Sequence, residues 1–243
     1  MEELGIYTIQ NTPIQVNPKA YTMGTSVLAI KYADGVMVAS DTQASYGSYA
    51  KYKGIERVAE LAPTTLLASS GEYSNFQELK NRLTLEMKAP VGEEPLFGPR
   101  ECFEILRNHM YSKRCKGAPE INFHIVAGIE KALPREALPY ESDPTRRFLA
   151  GIDHLGNFFH ANVIATGIGA HIALPILRAA VQDRDESITE EEAANILKTA
   201  MTTLIYRDTR ATSIVQFSRV TQEGVQISAP IKLETDWSVG RPS

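Results

Sequence analysis

Between Gly24 and Asp41 the chain sets two apolar runs, Val27-Leu28-Ala29-Ile30 and Val36-Met37-Val38-Ala39, on either side of an Asp34-Gly35 pair. Asp-Gly between short aliphatic, β-branched runs is the strongest local hairpin signal a sequence carries. An antiparallel hairpin is therefore predicted to open the folded domain. Its pairing returns Asp41, at the end of the second strand, to the neighbourhood of Gly24-Thr25-Ser26 at the start of the first. A hydroxyl and a carboxylate are predicted to meet there, and the rest of the chain has to pack around that meeting point.

The chain has 243 residues, 43% of them hydrophobic, and no Pro/Gly/Ser-rich linker divides it, so one large domain is expected. A net charge of -4 without a basic stripe argues against nucleic acid as a partner. The two cysteines, Cys102 and Cys115, fall on one predicted helix and its exit and lack companions for a zinc site, which fits reduced thiols in a cytosolic or nuclear protein. Met1 to Met23 carries Glu2, Glu3, Pro13 and Pro18 and no long apolar run. It reads as an extended arm, with neither a secretory signal nor a membrane span.

Thr42 to Lys53 is polar around Gly47 and reads as an exposed connection closed by Gly54. Ile55 to Leu61 and Thr64 to Ser69 read as short strands on either side of Pro63. Glu72 to Lys88 spaces Phe76, Leu79, Leu83 and Met87 for one helix, which breaks at Ala89-Pro90-Val91-Gly92; Pro99 opens a second helix to about Lys113. Strand character returns at Phe123 to Ile129, Arg147 to Ile152 and Phe158 to Ile164, with Glu130 to Arg146 a solvated loop. Gly167-Ile168-Gly169 is read as a tight turn, since the full dinucleotide fingerprint is missing. A helix follows from about Ala170 to Gln182. Ser187 and Glu190 form a capping box for another reaching Arg207, with Ala194, Ile196, Leu197, Ala200 and Leu204 on its buried stripe. Ser213 to Val220 and Val225 to Ile231 close the domain as a hairpin, and Trp237 stands in a polar tail. This order is α+β, with sheets able to pack together under outer helices; an ordinary α+β sandwich also satisfies it.

Six stretches taken together carry a resemblance: Gly24-Thr25-Ser26-Val27, Ser45-Tyr46-Gly47-Ser48, Ile55-Glu56-Arg57, Ala165-Thr166-Gly167-Ile168-Gly169-Ala170-His171, Tyr206-Arg207-Asp208 and Glu234-Thr235-Asp236-Trp237. In this order and spacing the chain resembles the proteasome beta subunits from Gly24 to Trp237. The resemblance implies the four-layer αββα sandwich of N-terminal nucleophile hydrolases, with residues 1–24 as a propeptide-like arm, 25–231 as the subunit domain and 232–243 as a tail. It also implies neighbouring beta subunits, outer-ring alpha subunits and beta subunits of the opposite ring as partners, with no cofactor or metal. Trp237 is expected to anchor the tail in assembly.

In active members of that family the residue matching Thr25 is the nucleophile, freed at its amino group, and a Lys stands thirty-two places on, where this chain has Arg57. A buried Lys can give up its proton, whereas a guanidinium stays charged. The Ser of the family's Gly-Ser-Gly turn is matched by Ile168, and the Ser three residues past the Tyr-Arg-Asp acid by Ala211; neither side chain donates or accepts. Thr25, Asp41 and Asp208 remain, with one or both acids expected to pair with Arg57 as an internal ion pair. His154 is read as a solvated turn residue and His171 as a capping or packing residue. A non-catalytic structural subunit is the expectation; the rival is an active threonine peptidase using Thr25 with an unusual base, and a third reading is a self-assembling bacterial-type peptidase.

Overall fold

The computed structural model describes residues 20–87, 97–130, 146–182 and 184–238. In chain order the elements are β1 (Met23–Gly24), β2 (Val27–Tyr32), β3 (Gly35–Asp41), β4 (Gln43–Tyr46), β5 (Tyr49–Lys53), β6 (Val58–Ala62), β7 (Thr65–Glu72), α1 (Tyr73–Glu86) and α2 (Pro99–Cys115). They continue as β8 (Asn122–Ile129), β9 (Arg147–Ile152), β10 (Phe158–His160), β11 (Val163–Ala165), α3 (Gly169–Val181), α4 (Glu190–Arg207), β12 (Ile214–Thr221), β13 (Gly224–Ile227) and β14 (Ile231–Lys232). One sheet runs β10-β9-β8-β7-β1-β4-β5, with β6 also on β7. The other runs β11-β2-β3-β12-β13, with β14 on β12.

The hairpin's apolar runs are continuous because both faces of its sheet are covered. Successive side chains point to opposite faces. Val27, Ala29, Val36 and Val38 pack against Leu66, Ala68, Ile125 and Ala127 of the other sheet. Leu28, Ile30, Met37 and Ala39 face the other way, onto Ala173 and Leu177 of α3 and Leu197 and Leu204 of α4. On the far side of the first sheet, Leu67 and Val126 meet Phe76 and Leu83 of α1 and Leu106 and Met110 of α2. Three apolar layers separate four structural ones, giving the αββα sandwich that the resemblance implies.

Several local expectations are corrected. Thr42 to Lys53 is not a plain connection: β4 and β5 form a hairpin whose Gly47 takes φ 60°, a left-handed conformation that favours glycine. Its polar sequence arises because all five β5 residues are exposed. Phe158 to Ile164 is two strands, β10 pairing with β9 and β11 with β2, so the chain changes sheets at Ala161-Asn162. The cap of α4 is Thr189, whose hydroxyl accepts from the Glu192 N–H at 3.2 Å, while Ser187 donates to the Arg184 carbonyl. Gly35 is the first residue of β3 and the loop is Ala33-Asp34; Gly35 is required because a Cβ there would collide with the Val220 carbonyl of β12. Cys102 and Cys115 both lie within α2, the first buried and the second exposed. The strand expected to start at Ile55 begins at Val58.

The predicted break at Ala89 to Gly92, residues 1–19 of the predicted arm, 131–145 of the predicted loop and 239–243 of the tail lie outside the described residues. Met23 and Gly24 are strand residues within the first sheet, and in the tail Leu233 is buried in the α3/α4 core. No helix among the described residues is long and apolar enough to cross a membrane.

Candidate functional site

Antiparallel register brings Val27 opposite Ser40, so Thr25-Ser26 and Asp41 do lie at one end of the hairpin. Arg57 reaches them from the connection before β6. Its guanidinium is 2% exposed and pairs with the Asp41 carboxylate, itself 1% exposed. The remaining N–H groups donate to the carbonyls of Thr25 (2.8 Å), Ser26 (3.2 Å), Asp41 (3.0 and 3.2 Å) and Ser69 (3.4 Å). A planar fork can satisfy several acceptors at once in a way that an ammonium on a flexible stem cannot. Arg57 thereby ties the start of β2, the end of β3 and the middle of β7 together. Gly24 lets it in, since a Cβ there would collide with the Arg57 side chain.

The ion pair falls on Asp41 alone. Asp208, at the C-terminal end of α4, instead accepts from the Thr25 hydroxyl and from the Arg210 N–H at 2.9 Å. The second oxygen of Asp41 accepts from the Thr212 N–H at 3.2 Å. Burial pushes the Asp41 carboxyl upward, and Arg57 and the Thr212 amide pull against it without bringing it back to the ordinary carboxylate value. Thr25 opens onto a cleft lined by Gly71, Ile168, Asp208 and Arg210, with the turn residue His154 at its edge.

Ile168 is 44% exposed at this cleft, between Gly167 with φ 58° and Gly169. The Gly169 N–H is taken by the Ser26 hydroxyl at 2.9 Å, which ties the tight turn read from the sequence to the start of β2 and leaves that amide unavailable to a phosphate. Ala211 donates its N–H to the Asp208 carbonyl and brings no polar side chain. Trp237 is not at this cleft: it lies edge-on to Tyr206 of its own chain, centroids 4.9 Å apart, and is 54% exposed. His171 is exposed on α3 rather than packed.

Sequence reasoning missed Ser26 and Thr166, whose hydroxyls accept from Gly169 and from Val27 at 2.8 Å, and Glu72, which accepts from the backbone just upstream of Thr25. An acid at a strand-to-helix junction points to capping of the helix it precedes, but Glu72 makes no cap bond to α1 and binds the arm instead. Nothing in the spacing told which amides it would bind.

A family model described as "Proteasome subunit" matches residues 21–90 and 141–220. The chain is 34% identical over 221 residues to "Probable proteasome subunit beta type-7" of Encephalitozoon cuniculi, covering 90% of this chain and 95% of that one. It is 36% identical over 220 residues to "Proteasome subunit beta type-4" of Arabidopsis thaliana, covering 89% and 82%, and 31% identical over 230 residues to the beta type-4 subunit of Xenopus laevis, covering 93% and 89%. With the αββα sandwich in place and matches spanning most of the chain on both sides, this chain belongs to the proteasome subunit family, among its beta subunits.

Proposed function

We propose that this chain is a non-catalytic, structural beta subunit of the proteasome core particle. In this reading it holds one place in each inner ring, walls the degradation chamber, and touches neighbouring beta subunits, an outer-ring alpha subunit and the opposite ring, in the cytoplasm and nucleus. The supporting observation is Arg57. The cation beside Thr25 is a permanently charged guanidinium with its N–H groups committed to Asp41 and four backbone carbonyls, so it cannot relay a proton. Ile168 and Ala211 supply no hydroxyl to replace it.

One observation favours the rival reading: Thr25 donates to Asp208, so a carboxylate touches the hydroxyl of the residue matching the family's nucleophile. Peptide hydrolysis in particles whose other active subunits are silenced separates the two. Wild type and Arg57→Lys are both expected at background, because the lysine variant still lacks the two hydroxyls and has Thr25 joined to Gly24. Turnover that Thr25→Ala abolishes would overturn the structural reading.

The tail reading is tested by a cut placed to spare the fold. Removing Lys232 onward would take out β14 and Leu233, so truncation after Asp236 is the informative variant. It keeps the hydrogen bond from the Asp236 N–H to the Tyr206 hydroxyl at 2.7 Å and removes the half-exposed indole. If Trp237 contributes to joining the two rings, native gels should show half-particles forming normally and full particles depleted. An unchanged ratio would limit Trp237 to its own chain.

A further inference from the structure

The β4–β5 hairpin is attached to its sheet in an unusual way. Among the described residues, the only strand joining it to β7 is β1, two residues long. Met23 stands opposite Ser45 on one side and Glu72 on the other, and Gly24 stands between Ala44 and Gly71. A two-residue strand offers few ladder hydrogen bonds, so something outside the ladder has to hold it.

Glu72 does so. Its carboxylate is buried, and one oxygen accepts from two consecutive backbone amides, those of Tyr21 and of Thr22 (3.0 Å), while the other accepts from the Ser74 hydroxyl at 3.1 Å. The arm returns the contact: the Thr22 carbonyl accepts from the Tyr73 N–H at 2.8 Å, satisfying the first amide of α1, which no side chain caps. Beyond this clamp Tyr21 stacks on Tyr46 of β4, centroids 6.2 Å apart and planes within 8°. The arm is therefore bound at three levels, by charge-assisted hydrogen bonds, by a helix-end amide and by ring stacking, all immediately upstream of Thr25.

We propose that Tyr21–Gly24 is a permanent structural strap, clamped by Glu72, that fixes the β4–β5 hairpin to the sheet, and that Glu72 is its positioning residue. The segment upstream of Thr25 is thus part of the fold, and losing it would open the sheet between β4 and β7. The hairpin it positions presents Tyr46, Tyr49 and Tyr52 at the surface, with the Lys51 ammonium over two of those rings at 5.4 and 5.1 Å. Retention of the strap therefore decides how a cationic, tyrosine-bearing edge is displayed. This goes beyond the structural-subunit reading and rests on its premise that Thr25 stays joined to Gly24, since a chain cut there would lose the strap.

Hydrogen exchange on the full chain in assembled particles tests it. In Glu72→Ala, which removes both amide contacts and the Ser74 contact, amides of Gln43–Lys53 are expected to exchange at least about tenfold faster, the factor that one charge-assisted hydrogen bond alone would set. Protease should gain a cut beside Tyr21, while β8 and β9 keep wild-type exchange. Glu72→Gln, which retains an acceptor oxygen and serves if the alanine variant does not fold, should show a smaller shift in the same residues. A chain beginning at Thr25 should show a larger one. Unchanged exchange over Gln43–Lys53 in these variants would overturn the strap, as would a rise spread equally over β8 and β9, which would make Glu72 a general support of the fold. Peptide hydrolysis, read separately, tests the structural-subunit reading, while exchange in the Glu72 variants tests the clamp, so the two failures are distinguishable.

Discussion

Arg57→Ala is expected to lower the stability of the fold by about 3–5 kcal/mol, because it strands a buried carboxylate and removes the donor shared by four backbone carbonyls. The whole stability of a domain is about 5–15 kcal/mol, so the variant should accumulate poorly or enter particles inefficiently. The loss should depend on pH with a definite sign. Asp41 is already pushed up by burial and held back chiefly by Arg57. Without the cation its folded pKa rises further above the unfolded value, and a carboxyl of that kind is easiest to bury when protonated. Destabilisation should therefore deepen as pH rises and ease as it falls. Adding Asp41→Asn should recover part of the loss, since the amide is neutral and keeps an oxygen for the Thr212 N–H. Urea unfolding of the single and double variants at several pH values checks this. Equal losses in both, with no pH dependence, would show that the guanidinium serves only through its bonds to carbonyls.

What could be read in the sequence followed from periodicity. The apolar stripe of α1, Pro99 at the start of α2 and the runs of β2 and β3 are local signals, and each element formed where it was expected within a few residues. The strand β9 was predicted with the bounds it has. The misses came where distant neighbours decide. Nothing local tells that Gly35 is pressed against Val220, that β10 and β11 belong to different sheets, or that a two-residue strand upstream of Thr25 lies between β4 and β7. At the site, the resemblance placed Arg57 beside Thr25 and the acids, and opposite charge then made an ion pair foreseeable. Its restriction to Asp41, with Asp208 turned to Thr25, depended on how the end of α4 meets the hairpin.

Acidification from pH 6.5 to pH 4 should cost the folded chain about 3 kcal/mol through one residue, His124. The ring sits on β8, fully buried, and neither nitrogen has a hydrogen-bond partner among the described residues. Burial pushes it from 6.5 down to about 4, with nearby Glu120 raising it and His109 lowering it further. The unfolded chain takes up a proton near pH 6.5 while the folded chain refuses it until about pH 4. Every step down between those values favours unfolding, by about 2 kcal/mol at pH 5; well below pH 4 the effect levels off. A second, lower window belongs to Glu120. Burial pushes its carboxyl up, but hydrogen bonds from His109 and Lys113, each 3.0 Å away, outweigh that and hold it at about 2. Its contribution is present above pH 4.5 and fades as pH falls toward 2. The two windows separate experimentally. His124→Leu, close to isosteric and apolar, should keep near-neutral stability and flatten unfolding midpoints between pH 6.5 and 4.5, leaving the drop below pH 4.5 in place. A variant whose midpoint falls as steeply as wild type across the upper window would mean that a group other than His124 takes up the proton.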